Sequence, residues 1–223
     1  MKPGYLTRCD AIFALSKMSK FHDDLMDVMH SNGFDMLDNL GRRNILMSAA
    51  QEKYFAEALA RRFNVSCNGK TGEPDIMIHT LERELECKLT SRQKSGAISF
   101  QTDYETLCKK GKLDYLYVVA SKEFDAFAVV LYENLSVEDF RKPSTGSRGK
   151  TQLMKYKAAD RARILVGNFE NVNIREIEKL KAKLSKPSLS NYARTKALKS
   201  MDYWKTTPTK YTINLERING TQS

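Results

Sequence analysis

Acidic and basic residues recur at short spacing in a segment that begins at Pro74. Asp75 follows that proline, and after ten more residues comes the run Glu86-Cys87-Lys88. Two carboxylates and an amine are groups that can hold a divalent cation and position a water molecule. Mg²⁺ prefers hard oxygen ligands and keeps several waters, so two carboxylates and one phosphate oxygen make a sufficient site for it. The segment therefore predicts a divalent-cation site with a basic group beside it.

The elements around these residues are expected to be strands. After Asn68 the hydrophobic pattern changes to a period of two, which predicts a strand at residues 75–79, a turn, and a second strand at residues 83–89. In the second strand Glu86 and Lys88 share one face, about 6.6–6.8 Å apart along it. Glu84 lies on that face too, but only Glu86 has the acid-x-Lys spacing, so we choose Glu86 as the ligand.

A third carboxylate lies on the helix predicted before these strands, over residues 43–63. By helical spacing Glu52 falls on the same stripe as Phe55 and Leu59. A carboxylate on an apolar stripe is costly unless a cationic group meets it. Glu52 is therefore either part of the cation site or a residue at the edge of the stripe that reaches solvent.

The remaining pattern alternates helices and strands. Asp10 is the expected N-cap of a helix over residues 11–30, and residues 99–112 are expected to form one helix. Later elements are expected at 113–120 (strand), 125–133 (strand), 141–151 (basic loop), 162–169 (strand), 175–186 and 188–204 (helices), and 210–218 (strand). This order predicts an α/β fold of the mixed α+β kind, with a central mixed β-sheet flanked by helices.

Charge divides the chain into two parts. Residues 141–223 contain 19 Lys and Arg against 6 Asp and Glu, whereas residues 1–140 contain 18 against 21. A basic third beside a slightly acidic body is typical of a surface that meets a polyanion, above all nucleic acid. We therefore predict helices and a catalytic core within residues 1–140, and a basic region at 141–223 that completes the domain and contacts DNA.

Pro74-Asp75 followed by Glu86-Cys87-Lys88 resembles the signature of the PD-(D/E)XK nucleases, a superfamily that includes most type II restriction endonucleases. The resemblance covers about 15 residues and implies a restriction-endonuclease-like core with the two motif parts on adjacent antiparallel strands. It implies Mg²⁺, one or two ions per site, held by Asp75 and Glu86, with Glu52 as a further ligand. Lys88 would orient and help to deprotonate the attacking water, which leaves a 5′-phosphate and a 3′-hydroxyl.

Candidate DNA contacts lie mainly in the basic region, where Arg and Lys suit phosphates and where Asn and Arg also match base edges. One candidate, Gln101, lies on the helix predicted at 99–112 and resembles a Gln that some exonuclease and resolvase branches carry. The complete set is Gln101, Arg148, Lys150, Asn191, Arg194 and Lys199.

The expected function is that of a type II restriction endonuclease acting on double-stranded DNA as a homodimer, since two symmetric sites are needed to cut both strands of a palindrome. Such an enzyme implies a cognate DNA methyltransferase in the same system. Two alternatives stay open: a junction resolvase, repair or mobile-element nuclease with the same core, and a non-catalytic DNA-binding protein. The four separated cysteines and the lack of a long apolar run predict a cytoplasmic protein without a membrane partner.

Overall fold

The computed structural model of the chain describes residues 4–70, 73–92, 99–145 and 149–218. The helices are α1 (Arg8–Ser31), α2 (Leu40–Ala60), α3 (Tyr104–Lys110), α4 (Lys155–Asp160), α5 (Val172–Leu184) and α6 (Asn191–Thr206). The strands are β1 (Val65–Ser66), β2 (Ile76–Ile78), β3 (Arg83–Ser91), β4 (Gln101–Asp103), β5 (Leu113–Ala120), β6 (Ala126–Leu135), β7 (Lys150–Gln152), β8 (Arg163–Val166), β9 (Asn168–Asn171), β10 (Tyr211–Asn214) and β11 (Glu216–Arg217).

A sheet of seven described strands forms the centre of the fold. Its order is β1-β2-β3-β5-β6-β11, and β8 also pairs with β6. The strands β3 and β5 are parallel, whereas the other pairs in this sheet are antiparallel. The expected mixed α/β fold, with a central mixed sheet between helices, is therefore confirmed.

The sheet has an apolar core on each face because the side chains of β5 alternate. Leu116 and Val118 belong to the core cluster formed with α1 and α2. Tyr115, Tyr117 and Val119 point to the other face, where they pack with residues of α3, β4 and the C-terminal elements. All eight residues of β5 are buried, as expected for a strand covered on both sides.

The first helix begins earlier than the sequence predicts. Thr7 is its N-cap, and Asp10 is the third residue of the helix. The Asp10 carboxylate accepts a hydrogen bond from the Thr7 backbone N–H at 2.8 Å, while the Thr7 hydroxyl accepts one from the Asp10 N–H at 3.3 Å. The prediction of Asp10 as N-cap was wrong because this reciprocal capping box uses the acid three residues inside the helix.

The segment 99–112 is divided between a strand and a helix. Strand β4 pairs antiparallel with β7, with Gln101 opposite Gln152 and Asp103 opposite Lys150. The Asp103 side chain then caps α3 by accepting a hydrogen bond from Thr106 N–H at 2.8 Å. The prediction of one helix was wrong here, and Gln101 lies on a strand, because pairing with a distant segment decides the conformation of residues 101–103.

The predicted strand at 162–169 is interrupted at Gly167, which has a φ of 74°. A Cβ at this position would lie 2.5 Å from the Asn214 carbonyl oxygen and 2.9 Å from the Ala128 Cβ, so the close backbone approach requires glycine. Strand β8 pairs with β6 before this turn, and β9 pairs with β10 after it.

The expected strand at 210–218 is likewise divided, into β10 and β11. Segments after residue 140 thus pair with β6, both through β8 and through β11. The division into residues 1–140 and 141–223 stays a prediction. In the part of the chain that the structure describes, no helix is long and apolar enough to cross a membrane.

Candidate active site

The two motif segments lie beside each other on a short antiparallel hairpin. Strands β2 and β3 pair with Ile76 opposite Leu85 and Met77 opposite Glu84. Asp75 immediately precedes β2, and its Oδ2 accepts a hydrogen bond from the Cys87 backbone N–H at 2.7 Å. This bond fixes the Asp75 carboxylate against the middle of β3.

Lys88 joins the two carboxylates. Its Nζ lies 2.6 Å from Glu86 Oε1 and 3.8 Å from Asp75 Oδ2. Since one ammonium group contacts both acids, Asp75 and Glu86 converge on the same side of the hairpin. Their side chains are 23% and 21% exposed, and that of Lys88 is 31% exposed, so the group is open to a ligand. The sequence expectation that these three residues meet agrees with this geometry.

The acids of the site repel each other. Burial and the charge of Glu86 raise the pKa of Asp75, although Lys88 and the Cys87 N–H oppose the shift. Burial by itself would lower the pKa of Lys88, but the attraction of Glu86 and Asp75 raises it overall. The attraction of the two acids therefore keeps Lys88 protonated at neutral pH.

Glu52 belongs to the same electrostatic group. It lies on α2, which packs against β3, and is partly exposed. Burial and the negative charge of Asp75 raise the pKa of Glu52 to about 6, against the opposing effect of Lys88. Glu52 is therefore at the edge of the apolar stripe and also close enough to Asp75 to experience its charge.

Two adjoining cavities open at the site. The first, of about 280 Å³, is lined by Glu52, Asp75 and Glu86 together with residues 69–70, 73–74, 84, 106, 110 and 113. The second, of about 410 Å³, is lined by Glu86, Lys88 and residues of β3, β4, β5 and β7. Both cavities include Glu86, so this side chain faces the two parts of one cleft.

Sequence reasoning missed several charged residues of this cleft. Lys110, at the end of α3, forms an ion pair with Glu84 at 2.7 Å, and Lys70 and Glu73 line the same cavity. The alternation in β3 correctly predicts that Glu84 lies on the face of Glu86. Nothing in the local sequence could have predicted its partner, because Lys110 is 26 positions further along the chain.

The predicted DNA contacts fall in different places. Gln101 and Lys150 line the second cavity together with Lys88, although the sequence did not predict that β4 and β7 pair. Arg148 lies outside the described residues. On α6, Asn191, Arg194 and Lys199 are all exposed.

The three residues of α6 do not share one face of the helix. Arg194 and Lys199 point about 140° apart around the helix axis, as follows from 100° per residue. Arg194 Nη1 donates to the Leu184 carbonyl at the end of α5, at 3.4 Å. A joint role for Asn191, Arg194 and Lys199 in a major groove stays a prediction.

The donor set fits a hard divalent cation that retains water. Among the described residues, no group of three or more His, Cys, Asp and Glu is placed to hold a metal ion. Asp75 and Glu86 supply two carboxylates next to an open cleft, and Mg²⁺ commonly binds through one or two carboxylates, with waters and substrate phosphates as its other ligands. The residues present therefore fit Mg²⁺ better than a metal that needs a complete cage of protein ligands.

A comparison with protein-family models found no match, and a comparison with curated proteins found no similar sequence.

Proposed function

We propose that this protein is a Mg²⁺-dependent endonuclease of the PD-(D/E)XK kind, which hydrolyses phosphodiester bonds in double-stranded DNA. The observation that carries the proposal is the contact of Lys88 Nζ with both Glu86 and Asp75 across neighbouring antiparallel strands. The order of elements also supports it. A helix with Glu52 precedes the two motif strands, and α3 and the buried strand β5 follow them.

Asp75 and Glu86 would hold the ion, and Glu52 would bind a second ion or a water near it. When bound, Mg²⁺ supplies Lewis-acid stabilisation of the charge that develops on the phosphate. The carboxylates of the site repel one another, and together with burial this raises the pKa values of Asp75 and Glu52. A bound cation would relieve that repulsion. A dication in the cleft would lower both pKa values again.

Lys88 would orient the attacking water. Because its pKa is raised, Lys88 remains an ammonium that donates hydrogen bonds to the water and to the phosphate. The water oxygen forms a bond to phosphorus, and the bond from phosphorus to the 3′-oxygen breaks. Glu52, the carboxylate beside the pair that would hold the ion, would accept the proton that the water loses. The 3′-oxygen leaves and takes a proton from solvent, so the products are a 5′-phosphate and a 3′-hydroxyl.

The biological setting that we propose is a type II restriction endonuclease. Lys150, which lines the cavity next to Lys88, would attract the phosphate backbone of the DNA. Cleavage of both strands of a symmetric sequence would require a homodimer, since each chain contributes one site of this kind. A cognate DNA methyltransferase would protect the same sequence in the host DNA.

Cleavage of supercoiled plasmid tests the proposal. With Mg²⁺ the protein should nick or linearise the plasmid, and excess EDTA should prevent this. The cut ends should be substrates for a DNA ligase without kinase treatment, because they carry a 5′-phosphate. Discrete fragments would indicate a site-specific enzyme, whereas preference for branched DNA would favour the resolvase or repair alternative. Absence of cleavage with Mg²⁺ or Mn²⁺ on all of these substrates would refute the proposal.

Matched variants connect the activity to this site. Lys88→Ala should lower the cleavage rate by about 10²- to 10³-fold, the range for loss of one positioned hydrogen-bond donor, and Glu86→Gln should also lower it because the ion loses a carboxylate ligand. Asp75→Asn is preferable to alanine because the amide oxygen can still accept the Cys87 N–H bond. The control is Glu84→Gln, on the same face of β3 but paired with Lys110, which should retain activity. An active Lys88→Ala protein with normal circular dichroism would contradict the assignment.

A further inference from the structure

Helix α6 has one face that the fold leaves exposed although it carries large aromatic rings. Tyr192 and Tyr203 are 79% and 55% exposed, respectively. Lys196 and Lys199 lie between them at helical spacing, so that all four side chains fall on one stripe. The buried residue of α6 is Ala197, on the opposite side of the helix. Packing of α6 onto the protein therefore does not require the aromatic face.

Trp204 lies at the edge of this face, about 100° around the helix from Tyr203, and is partly buried. The Trp204 ring stands edge-on to the Tyr203 ring, with 5.3 Å between the ring centroids. Lys210 Nζ lies 5.3 Å from the centroid of Trp204. A concave region of about 480 Å³ on this face is lined by residues of α6 from Tyr192 to Trp204. Two tyrosines, a tryptophan and lysine amines thus line one open surface.

The charge around this face is mainly positive. Residues 172–210 contain ten Lys and Arg against three acids. The acid nearest the face, Asp202, lies 3.9 Å from Lys205. A ligand with negative charge at regular intervals and flat rings between the charges matches this surface. Nucleic acid has that chemistry, whereas an apolar helix of another protein would have to bury the lysines.

We propose that the α6 face binds an unpaired nucleic-acid strand, with bases on Tyr192 and Tyr203, next to Trp204, and phosphates on Lys196 and Lys199. An unpaired strand fits better than a duplex because the faces of paired bases are already covered by their neighbours. Loss of one base–aromatic stack reduces affinity about 5- to 150-fold, which corresponds to 1–3 kcal/mol. If the nuclease activity proposed above is correct, its substrate includes an unpaired segment as well as a duplex.

Only the statement about the nuclease substrate rests on the proposed function. The binding of an unpaired strand is tested without cleavage. Trp204 is the only tryptophan of the chain and lines the edge of this face, so tryptophan emission reports on this face alone. The complete protein is titrated in EDTA with a twelve-nucleotide oligothymidylate and, separately, with a twelve-base-pair duplex. The single strand should quench the tryptophan emission and saturate, and the duplex should quench it much less. Equal quenching by both, or none by the single strand, would overturn the proposal.

Variants separate stacking from general attraction to a basic surface. Tyr203→Ala should reduce affinity for the labelled oligothymidylate at least about 5-fold, measured by fluorescence anisotropy. Lys199→Ala should weaken binding and also flatten its salt dependence. The controls are Phe34→Ala and Lys20→Ala, two exposed residues of the α1–α2 region, which should leave affinity unchanged. If the controls weaken binding as much as the α6 variants, the assigned face is wrong.

The two proposals fail in different ways. Lys88→Ala should strongly lower the cleavage rate but leave the quenching by oligothymidylate intact, since Lys88 lies on β3 and not on α6. Quenching without any cleavage by the unaltered protein would remove the nuclease assignment and retain the strand-binding face. Cleavage without quenching would retain the nuclease assignment and remove the strand-binding face.

Discussion

Replacement of Glu52 by glutamine is expected to stabilise the protein when no divalent ion is present. In the folded state the pKa of Glu52 rises from its ordinary value of 4.5 to about 6, because of burial and the charge of Asp75. At neutral pH the ionised Glu52 side chain therefore destabilises the folded protein. A shift of this size corresponds to about 2 kcal/mol. Because Glu52 is partly exposed, solvent screening reduces our expectation to about 1 kcal/mol.

The gain in the free energy of unfolding from Glu52→Gln depends on pH. Below pH 4.5 Glu52 is protonated in both the folded and the unfolded protein, so Glu52→Gln should change the free energy of unfolding little. Between pH 4.5 and about 6 the Glu52 carboxyl ionises in the unfolded chain but stays largely protonated in the folded protein. The native protein therefore loses stability with rising pH, whereas the Glu52→Gln variant does not lose stability from this group. Above pH 6 the difference should be constant at its full value.

Thermal unfolding at pH 8 in EDTA measures this gain. For a chain of this size, about 1 kcal/mol corresponds to a rise in Tm of about 2–4 °C. The matched control is Glu57→Gln on the same helix, whose carboxylate pairs with Lys17 at 2.6 Å on an exposed surface. This control should change stability by less than about 0.5 kcal/mol. Addition of Mg²⁺ should raise the Tm of the native protein more than that of the Glu52→Gln variant, because the site of the variant lacks one carboxylate.

Two results would refute this reasoning. If Glu52→Gln lowers the Tm at pH 8, Glu52 stabilises the fold through a contact that outweighs the repulsion. If the gain is equal at pH 4 and pH 8, it does not come from ionisation. Either result would also remove the electrostatic argument for placing Glu52 in the cation site.

Three further predictions concern other parts of the molecule. Lys150→Ala should reduce the slope of log affinity for DNA against log salt by about 0.9, measured by anisotropy, and an unchanged slope would exclude a phosphate contact. Gly167→Ala should lower the free energy of unfolding in urea by more than about 1 kcal/mol, because φ is 74° and the Cβ has no room; a neutral result would contradict the described turn. Tyr5→Phe should cost about 1 kcal/mol in the same assay by removing its 2.9 Å hydrogen bond to buried Asp114, and no loss would show that this bond is dispensable.

Local patterns were sufficient to predict the motif hairpin. The alternation of charged and apolar residues from Arg83 onward places Glu86 and Lys88 on one face, and the structure has that arrangement. The position of Asp75 opposite this strand could be predicted because the intervening turn is short. The hydrogen bond from the Cys87 N–H, which holds the Asp75 carboxylate against β3, could not be predicted.

Long-range pairing limited the rest of the prediction. Residues 101–103 form a strand because they pair with 150–152, almost fifty positions away, and helical periodicity in the following residues concealed this. The same pairing places Gln101 and Lys150 beside Lys88. The sequence predicted both residues as DNA contacts from composition and resemblance, but it provided no reason for them to lie on one wall of the cleft.

The placement of charge explains why a cation would be needed at this site. The first cavity is lined by five acids, Glu52, Glu73, Asp75, Glu84 and Glu86, against Lys70 and Lys110. A phosphate that approached this cavity alone would be repelled, although the chain as a whole has a net charge of +10. Attraction of a polyanion is therefore a property of residues 141–223, and its entry into the acidic cleft requires added positive charge. We accordingly expect DNA to bind in EDTA, but the approach of a phosphate to Asp75 and Glu86 to depend on Mg²⁺.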